Sequence, residues 1–192
     1  MDHPFDIACA LAPAGPGRYV GRAPAAYWNM AGPFGGTTAA VLLRAALLEQ
    51  RDGVAPVALT VNYCAALVPG DFQIGVREVR SGRSVRHLSM ELAQGDTIAA
   101  TATVVFAQRR DTWSHQAAVM PEVPPPDAVP PMDVSNRLPW LQRYEFRFVR
   151  GAMQLQAQPF AEPQSGHSVL WVTDAPPRPL DHLSLAAPLL TP

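Results

Sequence analysis

Lysine is absent from this chain of 192 residues, and all fifteen cationic side chains are arginine. Charged residues make up only 16%, and the formal net charge is -1. Grip on nucleic acid or on an anionic membrane demands a basic surplus, so neither partner is expected. Cysteine is scarce, with Cys9 and Cys64 the two examples. They form no CxxC pair and the five His are scattered, so neither a metal site nor a cofactor is expected. Two thiols outside any disulfide framework fit a reducing compartment. No apolar run approaches the roughly 20 residues of a membrane span. The opening MDHPFDIACALAPAGPGRY holds two acids and no basic n-region, which argues against a signal peptide. The expectation is a cytoplasmic protein.

What is plentiful is apolar surface and proline. Hydrophobic content of 48% is enough for a sizeable core. PEVPPPDAVPPMDVSNRLP, from Pro121 to Pro139, cannot hold a helix or a sheet and reads as an extended connector. Its PPPDAVPP core also resembles a polyproline recognition segment, but the connector reading is preferred at this position. The expected organisation is a domain over 1–115, a linker over 116–139 and a shorter segment over 140–192.

In the first unit, residues 5 to 30 hold one or two short strands broken by PAGPG and RAP. TTAAVLLRAALLEQ reads as a helix, with Thr37 or Thr38 available to cap it and Ala and Leu favouring it. Four strand-like runs follow at 56–67, 72–79, 84–93 and 97–108. Period-two alternation groups Phe72, Ile74 and Val76, then Leu88, Met90 and Leu92, then Ile98, Ala100, Ala102, Val104 and Phe106. Short Gly turns between them predict a consecutive antiparallel meander. His87 falls on the face opposite Leu88 and Met90.

The helix is apolar on nearly every side and must be enclosed. One strongly curved sheet wrapped around one helix does this, which is the α+β hotdog architecture. Arg44 is the exception; its aliphatic stem can lie along apolar surface while its head reaches water or a partner subunit. An open sheet edge favours pairing of two copies, so a homodimer or larger homo-oligomer is expected.

From YWNMAGPFGGTTAAVLLRAAL through PVALTVNYCAALVPGDFQIGVREVRSGRSVRHLSMELAQGDTIAATATVVFA, the chain resembles the N-terminal hotdog of the thioesterase II type of acyl-CoA thioesterase-like double-hotdog proteins. LPWLQRYEFRFV and RPLDHLSLA look like the opening of the second hotdog. The resemblance implies hydrolysis of an acyl-CoA thioester to a free acid and coenzyme A. It also implies an acyl chain lying between helix and sheet, and a catalytic Asp on the second hotdog's helix. That Asp would align with Leu190, where the sequence reads PLLTP, so an incomplete second hotdog is expected.

The candidate site residues follow. Gly35 and Gly36 allow close backbone approach, and the helix start at Gly36 and Thr37 offers N–H donors for an oxyanion. Tight packing of the helix start is the competing explanation. Phe34, beside the pair, is a candidate substrate contact. Asn62 and Tyr63 lie mid-strand, one of them facing inward; Asn62 is a candidate polar catalytic group or a satisfied structural amide. Arg80, Arg83 and Arg86, with Ser84, crowd the RSGRS turn and suit coenzyme A phosphates or a solvated hairpin end. The helix interior carries no carboxylate, and Glu49 at its far end is expected in solvent. Asp181 and His182 are adjacent, so they point in different directions and make a poor acid–base pair. Alternatives to hydrolysis are an inactive acyl-binding or assembly module and, ranked last, dehydration of a 3-hydroxyacyl-CoA.

Overall fold

A computed structural model describes residues 2–51, 53–151, 153 and 166–187. Helix α1 (Pro4–Ala8) and strands β1 (Ala12–Pro13) and β2 (Arg18–Arg22) lead to the central helix α2 (Gly35–Leu48). Strands β3 (Ala55–Tyr63), β4 (Asp71–Ser81), β5 (Val85–Gln94) and β6 (Thr97–Ala107) follow. After the proline-rich stretch come β7 (Tyr144–Arg150), β8 (Val169–Asp174) and α3 (His182–Ala186).

Six strands form one antiparallel sheet in the order β1-β2-β4-β5-β6-β3. The hotdog expectation holds: α2 lies in the hollow of this sheet, with Val41, Leu42, Ala45 and Ala46 buried. Phe72, Ile74, Leu88, Met90, Leu92, Ala102, Val104 and Phe106 meet it from the strands. Burying each large side chain stabilises the fold by roughly 1.5–3 kcal/mol relative to exposure. Arg44 is exposed within the helix, as is Leu48 at its end.

The meander is real for β4, β5 and β6, but β3 does not sit beside β4. It crosses over and pairs with β6, with Asn62 opposite Thr101, while β4 pairs with β2. Alternation reports which face a residue takes and is silent on which neighbour a strand chooses. Ile98 also departs from its expected face and is 43% exposed. A bulge causes this: Leu92 pairs with Ala100 while Ala93 pairs with Ile98, leaving Ala99 extra and buried. The tight β5–β6 loop depends on Gly95, whose φ of +59° an ordinary side chain rarely tolerates.

The first turn of α2 also differs. Phe34 holds the cap position and makes no side-chain bond there. Thr37 and Thr38 lie inside the helix, with their N–H groups donating to the Phe34 carbonyl at 3.0 and 3.3 Å.

The C-terminal strands pair with each other instead of joining the large sheet. Much of AMQLQAQ, which follows β7 in the chain, lies outside the described residues. β7 and β8 dock through aromatics: Phe34 stacks on Trp140 at 4.3 Å between ring centroids, with Tyr27, Tyr144 and Phe146 edge-on or tilted around them. The proline-rich stretch has a single 3-10 turn, Pro126–Ala128, and is fastened down. Met132 N–H donates to the Phe146 carbonyl at 2.7 Å, and Trp171 Nε1 donates to the Pro124 carbonyl at 3.0 Å. Arg147 spans the carbonyls of Pro126 and Val129. Proline has no N–H to donate, so much of this fastening runs through the carbonyls of the stretch.

Candidate functional site

The opening of α2 faces the exit of β3, and a cavity of about 360 Å³ lies between them. Asn29, Gly32, Pro33, Thr38, Tyr63, Cys64, Leu67 and Ala99 supply most of its wall. The wall is held by backbone bonds. Cys64 and Ala65 N–H both donate to the Ala99 carbonyl, at 2.8 and 3.1 Å, and Asn29 N–H donates to the Gly32 carbonyl at 2.7 Å. Gln94 clamps the next turn through two bonds, accepting from Val68 N–H and donating to the Val68 carbonyl. A side chain at Gly32 would press into the Leu67 carbonyl, so glycine is needed there to bring the two wall segments together.

Of the expected site residues, Phe34, Gly35, Gly36, Thr37 and Tyr63 converge on the start of α2. The glycine pair is packed on both sides. Tyr63 lies against Gly35 and donates its hydroxyl to the Gly35 carbonyl at 2.7 Å. Gly36 is buried beneath the Ala187 carbonyl, which a Cβ would strike. Neither glycine is in the cavity wall; Thr38 is the helix residue that faces it. Phe34 is 3% exposed and committed to the aromatic cluster. Thr37 Oγ1 is buried without a hydrogen-bond partner among the described residues.

Asn62 is not the inward member of its pair. It is exposed on the outer face and donates its amide to Thr101 Oγ1 at 3.3 Å, while Tyr63 turns inward with Leu59 and Val61. The period of two decides this once Tyr63 is anchored on α2.

The arginine turn lies at the other end of the helix. Fourteen residues of α2 span about 21 Å. Arg86 is 6% exposed and donates to the Glu78 carboxylate and, at 2.7 Å, to the carbonyl of Glu49. It neutralises the helix C-terminus and spends three of its five N–H donors on these two partners, buried away from any coenzyme A phosphate. Its hydrogen bond holds the Glu78 carboxyl below the usual range. Glu49, expected in solvent, accepts the Tyr19 hydroxyl at 2.6 Å; burial, helped by this bond, pushes the Tyr19 pKa up to about 12. Arg80 and Arg83 are exposed, and Ser84 Oγ accepts from Arg110 at 2.6 Å.

Asp181 caps α3, accepting Ser184 N–H at 2.8 Å and pairing with Arg178. Burial alone would raise its pKa, but the Ser184 bonds and Arg178 hold it below the ordinary carboxylate value. His182 lines a separate groove beside β3, and neither residue reaches the cavity at Thr38.

Sequence reasoning missed Asn29, Thr38, Cys64 and Leu67 as cavity residues, because β3 exit and helix entry become neighbours only through the crossover. Cys64 is exposed and its thiol points to the Asn62 carbonyl at 3.6 Å. Cys9 is buried, and burial pushes its thiol up to about 12. Among the described residues the lining holds no carboxylate and no imidazole, so these residues make a neutral, mixed polar and apolar recess. No group of three or more metal-ligating side chains forms among the described residues.

Residues 24–107 match the model of the acyl-CoA thioesterase N-terminal domain. A conserved hotdog-fold protein of unknown function from Alicyclobacillus acidocaldarius is 43% identical, with a TM-score of 0.89 over 100% of this chain and 71% of its own. This chain belongs to the acyl-CoA thioesterase-like hotdog proteins. A candidate thioesterase II from Thermobifida fusca YX is 26% identical, with a TM-score of 0.66 over 75% of this hotdog chain and 53% of its own. An acyl-CoA thioesterase II from Mycobacterium marinum, 19% identical with a TM-score of 0.72 over 96% of this chain, shares the fold; the chain spans 66% of its length. A search of curated proteins gave no match. No helix among the described residues of this thioesterase-like chain is long and apolar enough to cross a membrane.

Proposed function

We propose that this protein binds acyl-CoA thioesters in the recess between the start of α2 and the exit of β3, and takes part in their hydrolysis to free acid and coenzyme A. The observation that carries the reading is the cavity of about 360 Å³ at the helix start, in a chain of thioesterase family. Thr38 and Asn29 supply polar side chains for a thioester carbonyl, in the field of the positive end of α2. The described lining has no carboxylate or imidazole base, so hydrolysis needs a carboxylate brought by another segment or another chain.

That same lack favours the second reading, an acyl-thioester binder without turnover. One experiment separates the two. Alkylation of Cys64 by iodoacetamide reports occupancy, because Cys9 is buried and its thiol is pushed up to about 12. Butyryl-CoA at ten times its Kd should slow labelling of Cys64 about tenfold. Release of free coenzyme A in the same mixture marks an enzyme; protection without release marks a binder. Unprotected labelling at saturating acyl-CoA removes both readings.

The outer edge of β3 has no partner strand among the described residues, and Val57 beside it is 58% exposed. Two copies pairing along this edge would cover it. A monodisperse monomer at micromolar concentration by light scattering rules that assembly out. The cytoplasm suits this reading, since an exposed thiol such as Cys64 stays reduced there.

A further inference from the structure

The recess at Thr38 can extend in two directions, and each is blocked by identifiable side chains. Inward, past Pro33, Thr38 and Leu67, it meets a void of about 10 Å³ closed by Phe72 and Leu92. That is room for about one water-sized group. Phe72 and Leu92 are 3% and 0% exposed, so close packing holds both in place. Sideways lies a groove of about 320 Å³ along the inner face of β3. Leu43, Leu59, Val61, Leu185 and Ala186 make its walls largely apolar, with His182 the polar member besides Tyr63.

Tyr63 belongs to the wall of both the recess and the groove. Its ring lies against Gly35, where the lack of a side chain leaves space for it. Its hydroxyl donates to the Gly35 carbonyl at 2.7 Å. One side chain, pinned by one hydrogen bond to the helix start, therefore partitions two spaces of similar size. Tyr63 is the last residue of β3 and 51% exposed, so moving it disturbs little packing.

We propose that Tyr63 sets the length of acyl chain the site accepts: bonded to Gly35 it confines the site to short acyl thioesters, and displaced it opens the apolar groove to longer chains. The inference rests on the recess being an acyl-thioester site. The inward route ends at Phe72 and Leu92, so a chain that outgrows the recess can extend only sideways, past Tyr63. A saturated hydrocarbon tail suits a groove walled by Leu, Val and Ala. Each methylene buried there strengthens binding by about fourfold.

The test is calorimetric titration of butyryl-CoA and octanoyl-CoA into the full chain and into Tyr63→Ala and Tyr63→Phe. In the unaltered protein octanoyl-CoA should bind no more tightly than butyryl-CoA. In Tyr63→Ala, octanoyl-CoA should gain at least about tenfold over butyryl-CoA, as part of its four extra methylenes enters the groove. Tyr63→Phe keeps the ring and loses the pin, so its gain should be intermediate; it also decides the matter should the alanine variant fold poorly. An unaltered protein that already favours octanoyl-CoA tenfold overturns the partition and leaves the binding reading intact. So do variants whose preference does not move. No binding of either ligand by the unaltered protein overturns both.

Discussion

The carbonyl oxygen of Ala187 sits where a side chain on residue 36 would begin. This contact joins the central helix to α3 through backbone alone and explains why the second glycine of the pair is glycine. Gly36→Ala should destabilise the protein by about 1–3 kcal/mol, the usual cost of overpacking. Urea denaturation would measure it, and amide exchange should quicken across Leu183 to Ala187. Stability equal to the unaltered protein would show that α3 can shift aside freely.

Phe34 is expected to matter for packing first. Its ring stacks on Trp140 and is 3% exposed. Phe34→Ala should cost about 3–5 kcal/mol and loosen the docking of β7. Trp140 is buried, so its fluorescence should shift to the red in the variant. An unchanged emission spectrum would place the stack outside the solution structure.

Arg178 ties the two ends of the described chain. It donates to Asp6 at 2.8 Å, to Asp181 and to Ser184, and lies over the Phe5 ring at 5.1 Å. Arg178→Ala should cost about 1.5–3 kcal/mol, the range for hydrogen bonds to charged groups. Exchange should rise in both α1 and α3. A double-mutant cycle with Asp6→Asn should show coupling; strict additivity of the two losses would contradict a shared knot.

Asp174 should make stability fall with rising pH. It is 5% exposed, and burial raises its pKa while Arg178 and His3 oppose that and Asp181 and Asp6 reinforce it. The folded state then holds a proton that the unfolded chain releases near pH 4. The stabilisation is full below that value and is lost as pH climbs through the higher folded pKa. Asp174→Asn keeps the shape without the charge. It should be more stable than the parent at neutral pH and no more stable at pH 4. Parallel pH profiles for the two proteins would refute the assignment.

The sequence alone determined the enclosed helix, the strands and most of their buried face. Val41, Leu42 and Ala45 are apolar where no solvent-facing stripe remains, and Phe72, Ile74, Leu88, Met90, Val104 and Phe106 alternate as one buried face. Periodicity is local, so it survives in a single chain. The family was legible as a resemblance, carried by the order of GPFGGTTAA and YCAALVPGD and not by periodicity.

Tertiary structure alone decided the neighbours. The crossover that sets β3 beside β6 brings Cys64, Leu67 and Asn29 to one recess, and nothing in their spacing announces it. A bulge at Ala99 turned Ile98 outward, and docking on α3 gave Gly36 its partner. Asn62 and Tyr63 divided their roles when Tyr63 bonded Gly35. Alternation says which face a side chain takes, but the contacts that make a site join residues far apart in the chain, and only closing the fold fixes those distances.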